Sequence, residues 1–431
     1  MKIQYAALSD VGLSRQNNED AYLADDELGL YVVADGMGGS NAGEVASRTL
    51  CEMLHRYVKE FEGQIRSFEH GDMRTSSANM LELLSQAIQE ANTVIFDKAK
   101  KDPALSGMGT TAVVMLMAGE QTFIGHVGDS RIYLFRDGKV HQITRDHSLV
   151  EELKQLGKIQ DSNEVKAKYR NAITRAVGVY ETVKVDTLDL TPLPGDRFLM
   201  CSDGLYSTAN EDELALLLDE VPPVEAVENL VRHANSRGGK DNITALVMDI
   251  VEVEPSQANL TQQKLETLRR VPLFKYLTFD ELLKVVSIFQ EEHFEEGQII
   301  CQEGDPGDDL YVLIEGGVVI SKRGIKIATL GPGDHFGELS LLDRHPRSAD
   351  IQTTSKSFCL VLGRKKFYTL IREASTLSVK MMWSLAQVAS ARLRQTTDDL
   401  GLARSLSVRV RMPTKPAHPF PGSPDDSEDL S

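Results

Sequence analysis

The chain has 431 residues, of which 41% are hydrophobic, and its formal net charge at pH 7 is -17. Chains of this length exceed what one hydrophobic core usually supports, so we expect two domains followed by a tail. The negative charge argues against a nucleic-acid-binding protein, because the phosphate backbone of a nucleic acid would be repelled and not neutralised.

The N-terminal sequence MKIQYAALSDVG lacks the charged and apolar regions of a signal peptide, and no stretch reaches the apolar length of a membrane span. These two features predict a cytoplasmic protein without a membrane partner. The cysteines lie far apart and form no CxxC pair, which favours reduced, buried thiols over disulfides or a zinc site. They are Cys51, Cys201, Cys301 and Cys359.

The chain divides into four segments by pattern. Strand-like runs alternate with amphipathic helical runs over residues 1–252, which predicts a mixed α/β domain. A change to Pro, Ser, Gln and Asn follows, and we interpret residues 253–272 as a linker and a helix. Short strands broken by glycines are typical of an antiparallel β-roll over residues 273–400, which a helix closes. Residues 401–431 are rich in proline and end in acids, which predicts a disordered tail.

The most informative feature of the first segment is a set of aspartates at the ends of apolar runs. Asp35, Asp129, Asp203 and Asp241 each lie where a strand-like stretch meets a turn, beside Gly, Ser or Asn. If the strands lie side by side, the carboxylates converge, and such a concentration of negative charge is stable only with cations to neutralise it. Oxygen ligands favour Mg²⁺ or Mn²⁺ over zinc, so the pattern predicts a site for hard divalent metals.

Five short motifs occur in order over about 230 residues. They are RxxxED from Arg15, DGxGG from Asp35, GDSR around Asp129, SDG around Asp203 and DN at Asp241. In this order and spacing the set resembles the bacterial 2C-type, or PPM-family, metal-dependent serine/threonine protein phosphatases. The resemblance implies an α+β fold, with a four-layer αββα sandwich as the first domain.

The resemblance also implies roles for the matching residues. Asp35 would bridge two metal ions, the carbonyl of Gly36 would bind one of them, and Asp203 and Asp241 would hold the other. Asp129 resembles the acid that, with Asp203, holds a third ion in bacterial members. Metal ions held in this way lower the pKa of a water molecule, which then serves as the nucleophile on phosphorus.

Three further residues of the opening motif have implied roles. Glu19 and Asp20 would orient metal-bound waters from the outer shell. Arg15 would present its planar guanidinium to the phosphoryl oxygens.

Each of these residues has a simpler interpretation. Asp35 and Asp203 could only start turns with the glycines that follow them, and Asp129 could cap a tight turn. Arg15 could form an ordinary surface salt bridge with Glu19.

The leaving-group acid has no clear candidate. Animal relatives carry a His at the position of Met37, and Met has no proton to donate. His126 and His147 are close in sequence, but a lone His is more often structural. Residues 147–180 match the place of the mobile flap of bacterial relatives, and an ordinary solvated helix pair is the alternative.

The second domain carries its own signature. The run FGELS, Phe336–Ser340, is followed by Arg347, nine residues beyond Glu338. This arrangement resembles the cyclic-nucleotide-binding domains of catabolite-activator-type regulators and of protein kinase A regulatory subunits. By that resemblance, backbone N–H groups of Gly337, Glu338 and Leu339 would cradle the cyclic phosphate of cAMP or cGMP, and Arg347 would neutralise it.

Two other residues complete the expected ligand contacts of this domain. Glu338 would accept a hydrogen bond from the ribose 2′-hydroxyl. Ser348 offers a hydroxyl to the phosphate or to a purine amino group, which does not decide between the two nucleotides. A β-roll with glycines at its turns and no ligand is the alternative.

The end of the second domain argues against a transcription factor, because the tail is too short and irregular for a helix-turn-helix. A stripe of Met382, Leu385, Ala389 and Leu393 lies on the preceding helix. It could cover the base of the β-roll, form a homodimer through the 375–400 helix, or do both.

The sequence as a whole predicts a metal-dependent phosphatase that acts on phosphoserine and phosphothreonine proteins, the products of a serine/threonine kinase. Cyclic nucleotide binding would regulate it, with activation and inhibition both open. Two alternatives are a metal phosphodiesterase that hydrolyses the nucleotide, and a non-catalytic nucleotide-binding adaptor.

Overall fold

The structure is a computed structural model of the chain. It describes residues 1–39, 42–72, 75–155, 172–253, 255–343, 345–373 and 375–410. Residues 156–171, the middle of the segment predicted to act as a flap, lie outside these ranges.

The first domain contains two antiparallel sheets. Strand order in the first sheet is β1 (Lys2–Asp10), β11 (Ile243–Glu252), β10 (Arg197–Cys201), β7 (Arg131–Arg136) and β8 (Lys139–Gln142). Strand order in the second sheet is β2 (Asp20–Asp25), β3 (Leu30–Met37), β5 (Ala112–Ala118), β6 (Gln121–Val127) and β9 (Asp186–Leu190), and β4 (Gly109–Thr110) pairs with β3.

Helices cover the outer face of each sheet. The second sheet is covered by α1 (Ala42–Glu60), α2 (Glu62–Glu69) and α3 (Ser77–Lys101). The first sheet is covered by α5 (Asp203–Tyr206), α6 (Glu211–Leu218) and α7 (Pro223–Ser236), while α4 (Leu149–Gln155) lies between β8 and β9 in the chain. Capping boxes at Ser76 and Asn210 satisfy the first free N–H groups of α3 and α6.

Three apolar layers hold these elements together. Tyr31 and Val33 of β3 enter the core between the sheets, whereas Leu30, Val32 and Ala34 face the helices, as the period of two in a strand requires. A third core lies between the first sheet and its helices. These layers confirm the predicted four-layer αββα sandwich. All four cysteines are buried and free, as predicted.

The second domain begins with α8 (Pro255–Arg270), a 3-10 turn (Pro272–Phe274) and α9 (Phe279–Ile288). Two four-stranded antiparallel sheets form the predicted β-roll. One contains β12 (Gln290–Phe294), β19 (Ser357–Gly363), β14 (Asp309–Glu315) and β17 (His335–Phe336). The other contains β13 (Ile299–Cys301), β18 (Asp350–Thr353), β15 (Val318–Lys322) and β16 (Ile325–Leu330). Two helices follow, α10 (Arg364–Glu373) and α11 (Ser375–Val410).

Helix α11 corrects two expectations. It continues through residues 401–410, where the sequence predicts the start of a disordered tail, and residues 411–431 lie outside the described part of the chain. The predicted apolar stripe is also divided, because Leu385 is buried whereas Met382 and Leu393 are exposed. One face of the helix therefore packs on its own domain, and another face points outward.

The two domains share a continuous apolar core. Helix α9 packs across β8 and β9, which are the edge strands of the two sheets of the sandwich. Phe279 packs against His141 with the ring centroids 4.4 Å apart and the ring planes tilted by 31°. Leu268 and Leu282 belong to the same buried cluster as the residues between the two sheets. Among the helices of the described ranges, none has a segment long and apolar enough to cross a membrane.

Candidate metal centre and ligand pocket

The candidate acids lie on one rim, where strand ends of both sheets meet. Asp20 and Asp35 face each other across β2 and β3. Asp203 lies two residues after the end of β10, whereas Asp129 and Asp241 lie two residues before β7 and β11, the two neighbours of β10. Because neighbouring strands are antiparallel, the end of one and the start of the next lie at the same edge. The fold therefore brings together the carboxylates that the sequence singled out.

Asp20 connects the two sheets. Its Oδ2 atom accepts hydrogen bonds from Ser202 Oγ and Thr244 Oγ1, both at 2.7 Å. Burial raises the pKa of Asp20 to about 7, although both hydroxyl donors lower it. Oδ1 is buried and has no hydrogen-bond partner among the described residues. Asp20 thus fixes the spacing of the sheets and keeps one oxygen free at the rim.

Asp35 lies at the centre of the acidic charge. Burial raises its pKa well above the usual range, and the charges of Asp20, Asp203, Asp129 and Asp241 raise it further. Carboxylates that repel each other in this way are stable together only when they are protonated or when cations neutralise them.

Hydroxyl groups hold the backbone at Asp35. Its N–H donates to Thr111 Oγ1 at 2.9 Å, and Thr110 Oγ1 donates to its carbonyl oxygen at 3.0 Å. Thr111 Oγ1 lies 2.7 Å from Ser130 Oγ, which connects β3 with the segment that carries Asp129. Two of the rim acids are therefore positioned by one hydrogen-bonded chain.

Gly36 leaves no room for a side chain. A Cβ atom at this position would collide with the carbonyl oxygens of Gly43 and Glu19. The Glu19 carbonyl accepts hydrogen bonds from Gly36 N at 3.2 Å and from Ser47 Oγ at 2.6 Å. The start of α1 consequently packs tightly against the end of β3, beside the acids.

Arg15 pairs with Asp241 and not with Glu19. The Nη2 and Oδ2 atoms are 2.9 Å apart, and about half of the Arg15 side chain is exposed. Burial raises the pKa of Glu19, whereas the charge of Arg15 lowers it. The side chain of Asn242 accepts a hydrogen bond from Glu19 N at 2.8 Å, which fixes this acid beside the start of β11.

Asp129 has neighbours that the sequence did not reveal. Its Oδ2 atom accepts a hydrogen bond from the Tyr206 hydroxyl at 3.3 Å. The Arg131 guanidinium lies 3.7 Å from the Tyr206 ring centroid and forms two hydrogen bonds with Asp146, at 2.7 and 2.8 Å. Burial raises the pKa of Asp129 to about 7, and the charge of Asp203 adds to the effect.

We call the open space beside this rim the acid cavity. Its volume is about 680 Å³, and its lining includes Asp129, Asp203 and Tyr206 from the rim and Glu151 and Lys154 from α4. The cavity is large enough for a phosphorylated side chain together with its backbone.

The donor set suits a hard divalent cation. All the donors are oxygens, Asp20 keeps one buried oxygen free, and the raised pKa values of Asp20, Asp35 and Asp129 show negative charge that a cation would relieve. Within the described ranges, no three His, Cys, Asp or Glu side chains converge on one point at metal-ligand distances. The acids thus form a rim and not a closed cage.

His126 and His147 have a structural role. Their ring centroids are 4.4 Å apart, Gly128 N donates to His147 Nδ1 at 3.1 Å, and Asp186 Oδ2 lies 3.1 Å from His147 Nε2. Burial lowers the pKa of His126 to about 3, which keeps this imidazole neutral. Neither histidine lines the acid cavity. They position the turn before Asp129.

A second buried carboxylate lies in the β-roll. Glu338 is 1% exposed, and burial raises its pKa. Arg392 of α11 brings its Nη1 atom to 2.7 Å from Glu338 Oε1, but the contact lacks hydrogen-bond geometry. Both carboxylate oxygens therefore lack a hydrogen bond within the described residues.

Arg347 lies against the turn that carries Glu338. Its Nη1 atom donates to the Asp309 carbonyl and to Ser340 Oγ, both at 3.0 Å. Gly337 has a φ of 79°, and a Cβ atom there would collide with the Asp309 carbonyl and with Arg347. A glycine is thus required directly before Glu338.

Leu339 and Ser348, two other residues predicted to contact the ligand, are both exposed. Leu339 lies in the 3-10 turn Glu338–Leu341, and its side chain is 44% exposed. Ser348 is exposed and has no side-chain hydrogen bond in the described part of the chain. Ser340, which the sequence did not single out, is the hydroxyl that contacts Arg347.

Serine/threonine phosphatases resemble part of this chain. The chain is 37% identical over 256 residues to the serine/threonine protein phosphatase PstP of Mycobacterium tuberculosis, covering 59% of this chain and 46% of that protein. It thus spans about half the length of this relative. It is 36% identical over 245 residues to the serine/threonine phosphatase stp of Listeria innocua, covering 56% of this chain and 93% of that protein.

Solved structures of serine/threonine phosphatases also resemble part of this chain. The crystal structure of M. tuberculosis PstP/Ppp matches with a TM-score of 0.51 and 35% identity, over 58% of this chain and 99% of that one. The PstP catalytic domain in complex with 2 manganese ions matches with a TM-score of 0.50 and 35% identity, with the same coverage.

Family models match both domains. The cyclic nucleotide-binding domain model matches residues 291–374. The protein phosphatase 2C model matches residues 13–247, which is more than half of the chain. The protein therefore belongs to the protein phosphatase 2C family and carries a C-terminal cyclic nucleotide-binding domain.

Proposed function

We propose that the protein is a metal-dependent serine/threonine protein phosphatase whose substrates are phosphoproteins made by a serine/threonine kinase. The observation that carries the proposal is the grouping of Asp20, Asp35, Asp129, Asp203 and Asp241 on one rim, of which Asp129 and Asp203 line the acid cavity. The named relatives support it, because they are serine/threonine phosphatases.

Specific residues would hold the ions. Asp35, Asp203, Asp241 and the Gly36 carbonyl are the proposed ligands of two Mn²⁺ or Mg²⁺ ions, and Asp129 with Asp203 is the proposed pair for a third. Bound ions supply Lewis acidity, which lowers the pKa of a coordinated water to near neutrality.

Two further acids are proposed to lie in the outer shell around these metal ligands. Ser202 and Thr244 hold the Asp20 carboxylate, and Asn242 holds the backbone of Glu19. Such fixed acids orient water at the rim and keep the spacing of the two sheets constant.

Other side chains act on the substrate and on the acids. Arg15 is half exposed, so its guanidinium has donors available for phosphoryl oxygens while one Nη atom holds Asp241. Tyr206 donates to Asp129 and keeps that carboxylate turned toward the cavity wall. Met37 carries no proton, so the chain supplies no leaving-group acid at this position.

The direct test is phosphate release from a phosphothreonine peptide in Mn²⁺, with EDTA as the metal-free condition. We expect release only with metal and its loss in Asp203→Asn. Asp137→Asn, which changes an acid in the β7–β8 turn, is the matched control. Absence of release in excess Mn²⁺ would contradict the proposal, and hydrolysis of cAMP or cGMP without phosphopeptide turnover would indicate a phosphodiesterase.

We also propose that a cyclic nucleotide, cAMP or cGMP, binds in the second domain and regulates the first. Glu338 supports this proposal, since a buried carboxylate without a hydrogen bond is costly unless a ligand hydroxyl supplies one. Arg347 and the N–H groups after Gly337 would bind the cyclic phosphate. Calorimetric titration with each nucleotide tests this, and no binding at millimolar concentration would refute it.

Helix α11 gives this regulation a physical route. Arg392 lies against Glu338, and Lys380 on the same helix pairs with Glu281 of α9 at 2.6 Å. A nucleotide hydroxyl that takes over Glu338 would displace Arg392 of α11, the helix that is linked through Lys380 to α9 and so to both sheet edges.

A homodimer through α11 is a further part of the proposal. Val379, Met382 and Leu393 are exposed on this 36-residue helix and recur at steps that suit pairing of two helices. Sedimentation analysis of Val379→Glu combined with Leu393→Glu tests it. We expect a dimer in the unmodified protein and a monomer in the double variant.

A further inference from the structure

Two open spaces meet at the boundary between the domains. The acid cavity is one, and the other is a cleft of about 340 Å³, which we call the interdomain cleft. Both are lined by the same four residues, Arg131, Asp146, Glu151 and Lys154. The two spaces are therefore parts of one trough that begins at Asp129 and Asp203 and runs toward the second domain.

The second domain forms one wall of this trough. Thr278, Glu281 and Lys284 from the start and the body of α9 line the interdomain cleft, together with Leu377 of α11. This wall is held in place, because Phe279 packs against His141 of the first domain. A polypeptide with its phosphorylated residue in the acid cavity would extend along α9.

The charges of the interdomain cleft differ from those of the acid cavity. Arg145 lies 3.1 Å from Glu151, Lys154 lies 3.9 Å from the same carboxylate, and Arg131 pairs with Asp146. The acids on the first-domain side are thus already matched by cations.

The second-domain wall adds positive charge. Glu281 is neutralised by Lys380, at 2.6 Å. Lys284 is half-buried and forms no ion pair with any side chain that the structure describes. The interdomain cleft consequently has an excess of positive charge on a protein whose net charge is -17.

We propose that the interdomain cleft binds the segment of a phosphoprotein substrate next to the phosphorylated residue, and that it selects acidic residues there. This inference rests on the proposed phosphatase function and adds a substrate class to it. The cyclic nucleotide-binding domain is then part of the substrate site, with Lys284 as its specificity-determining residue.

The test compares phosphothreonine peptides that differ only in the flanking residues, with Glu, Gln or Lys on either side, and p-nitrophenyl phosphate as a substrate too small to reach the cleft. We expect the KM of the Glu peptide to be about two- to fivefold below that of the Gln peptide, as for one partly exposed ion pair. The Lys peptide should have the highest KM, and kcat should be the same for all three.

Lys284→Glu should reverse the order of the Glu and Lys peptides and leave kcat/KM for p-nitrophenyl phosphate unchanged. Lys326→Glu on β16, an exposed lysine that does not line the cleft, is the matched control and should keep the original order. The peptide series on the unmodified protein tests the proposal even if a variant fails to fold.

Two results separate the possible failures. Equal KM values for the three peptides, with normal turnover of p-nitrophenyl phosphate, would overturn the role of the cleft and leave the phosphatase function intact. Absence of turnover of every substrate in Mn²⁺ would overturn the phosphatase function, and with it this inference.

Discussion

The two domains each contain a buried carboxylate with an oxygen that lacks a hydrogen bond, Asp20 in the first and Glu338 in the second. The charges that surround these two carboxylates differ in sign. Asp20 lies among other acids, whereas Glu338 lies against Arg392. The same free oxygen therefore indicates a cation in one site and a neutral hydroxyl donor in the other, because the surrounding charge decides what can approach.

The side chains that hold the two carboxylates in place also differ. Asp20 is held by Ser202 and Thr244 at the ends of strands, which are parts of the sandwich core. Glu338 is held by a side chain on α11, a helix whose outer face is exposed. The first site is thus rigid, and the second contains a contact that a ligand can replace.

The largest expected effect is at Asp35. Asp35→Asn removes a carboxylate that interacts with four other acids and is the proposed central ligand of the ions. We expect phosphopeptide turnover in Mn²⁺ to fall by more than about a hundredfold, since even outer-shell changes cost 10- to 100-fold. Steady-state phosphate release measures it, and a fall of less than tenfold would refute the role of Asp35.

The second site should respond to Arg347. Arg347→Gln removes the charge that is proposed to bind the cyclic phosphate. Loss of a charge-assisted hydrogen bond of about 1.5 to 3 kcal/mol should weaken binding roughly 10- to 150-fold. Calorimetry with cAMP and cGMP measures the affinity, with exposed Arg323→Gln as control. Turnover of p-nitrophenyl phosphate without nucleotide should not change.

The first site also predicts a dependence of stability on pH. The pKa values of Asp20 and Asp129 are raised to about 7 in the folded protein, so their stabilising contribution is present below about pH 4 and is lost as the pH rises through 7. Between pH 5 and pH 8 we therefore expect the Tm of the metal-free protein to fall by about 5 °C or more.

Mn²⁺ should suppress this loss, since it neutralises the same carboxylates. Thermal unfolding followed by circular dichroism, with and without EDTA, makes the comparison. An equal decrease in Tm with Mn²⁺ and with EDTA would show that the rim acids do not bind the ion.

A smaller effect is expected at Arg392. Arg392→Gln removes the cation that competes with a ligand hydroxyl for Glu338, so nucleotide should bind about two- to tenfold more tightly. The matched control is Arg394→Gln, two residues away on the same helix. Weaker binding in Arg392→Gln would show that this arginine contacts the ligand and does not oppose it.

The smallest effect is expected at Tyr206. Tyr206→Phe removes one long hydrogen bond to Asp129 and keeps the ring under Arg131. We expect kcat to fall about two- to fivefold at saturating Mn²⁺. An unchanged kcat would mean that Arg131 and Asp146 alone define this side of the acid cavity.

The family, the four-layer sandwich and the β-roll could be predicted from the sequence, and the comparisons and the fold confirm them. The grouping of the rim acids could also be predicted, because each one ends or precedes an apolar strand. Their metal-binding roles stay predictions. The sequence could not show Ser202, Thr244 or Tyr206 as partners of the acids, since a hydroxyl group has no periodic pattern.

Helix α11 also has features that could not be predicted from the sequence. The spacing of Met382, Leu385 and Leu393 suggests one stripe, but a helix of 36 residues leaves the domain surface, and only Leu385 is buried. Arg392 is far from Glu338 in the sequence, so no local motif could connect them. Ser348 follows Arg347 in the sequence, whereas the fold places Ser340 beside that guanidinium.

Mn²⁺ binding, measured by calorimetry on the unmodified protein and on Asp35→Asn together with phosphopeptide turnover in the same samples, tests the central claim most directly. The account predicts at least two bound ions in the unmodified protein, fewer in Asp35→Asn, and loss of turnover in parallel. Equal Mn²⁺ binding by the two proteins, or turnover that persists without bound metal, would contradict it.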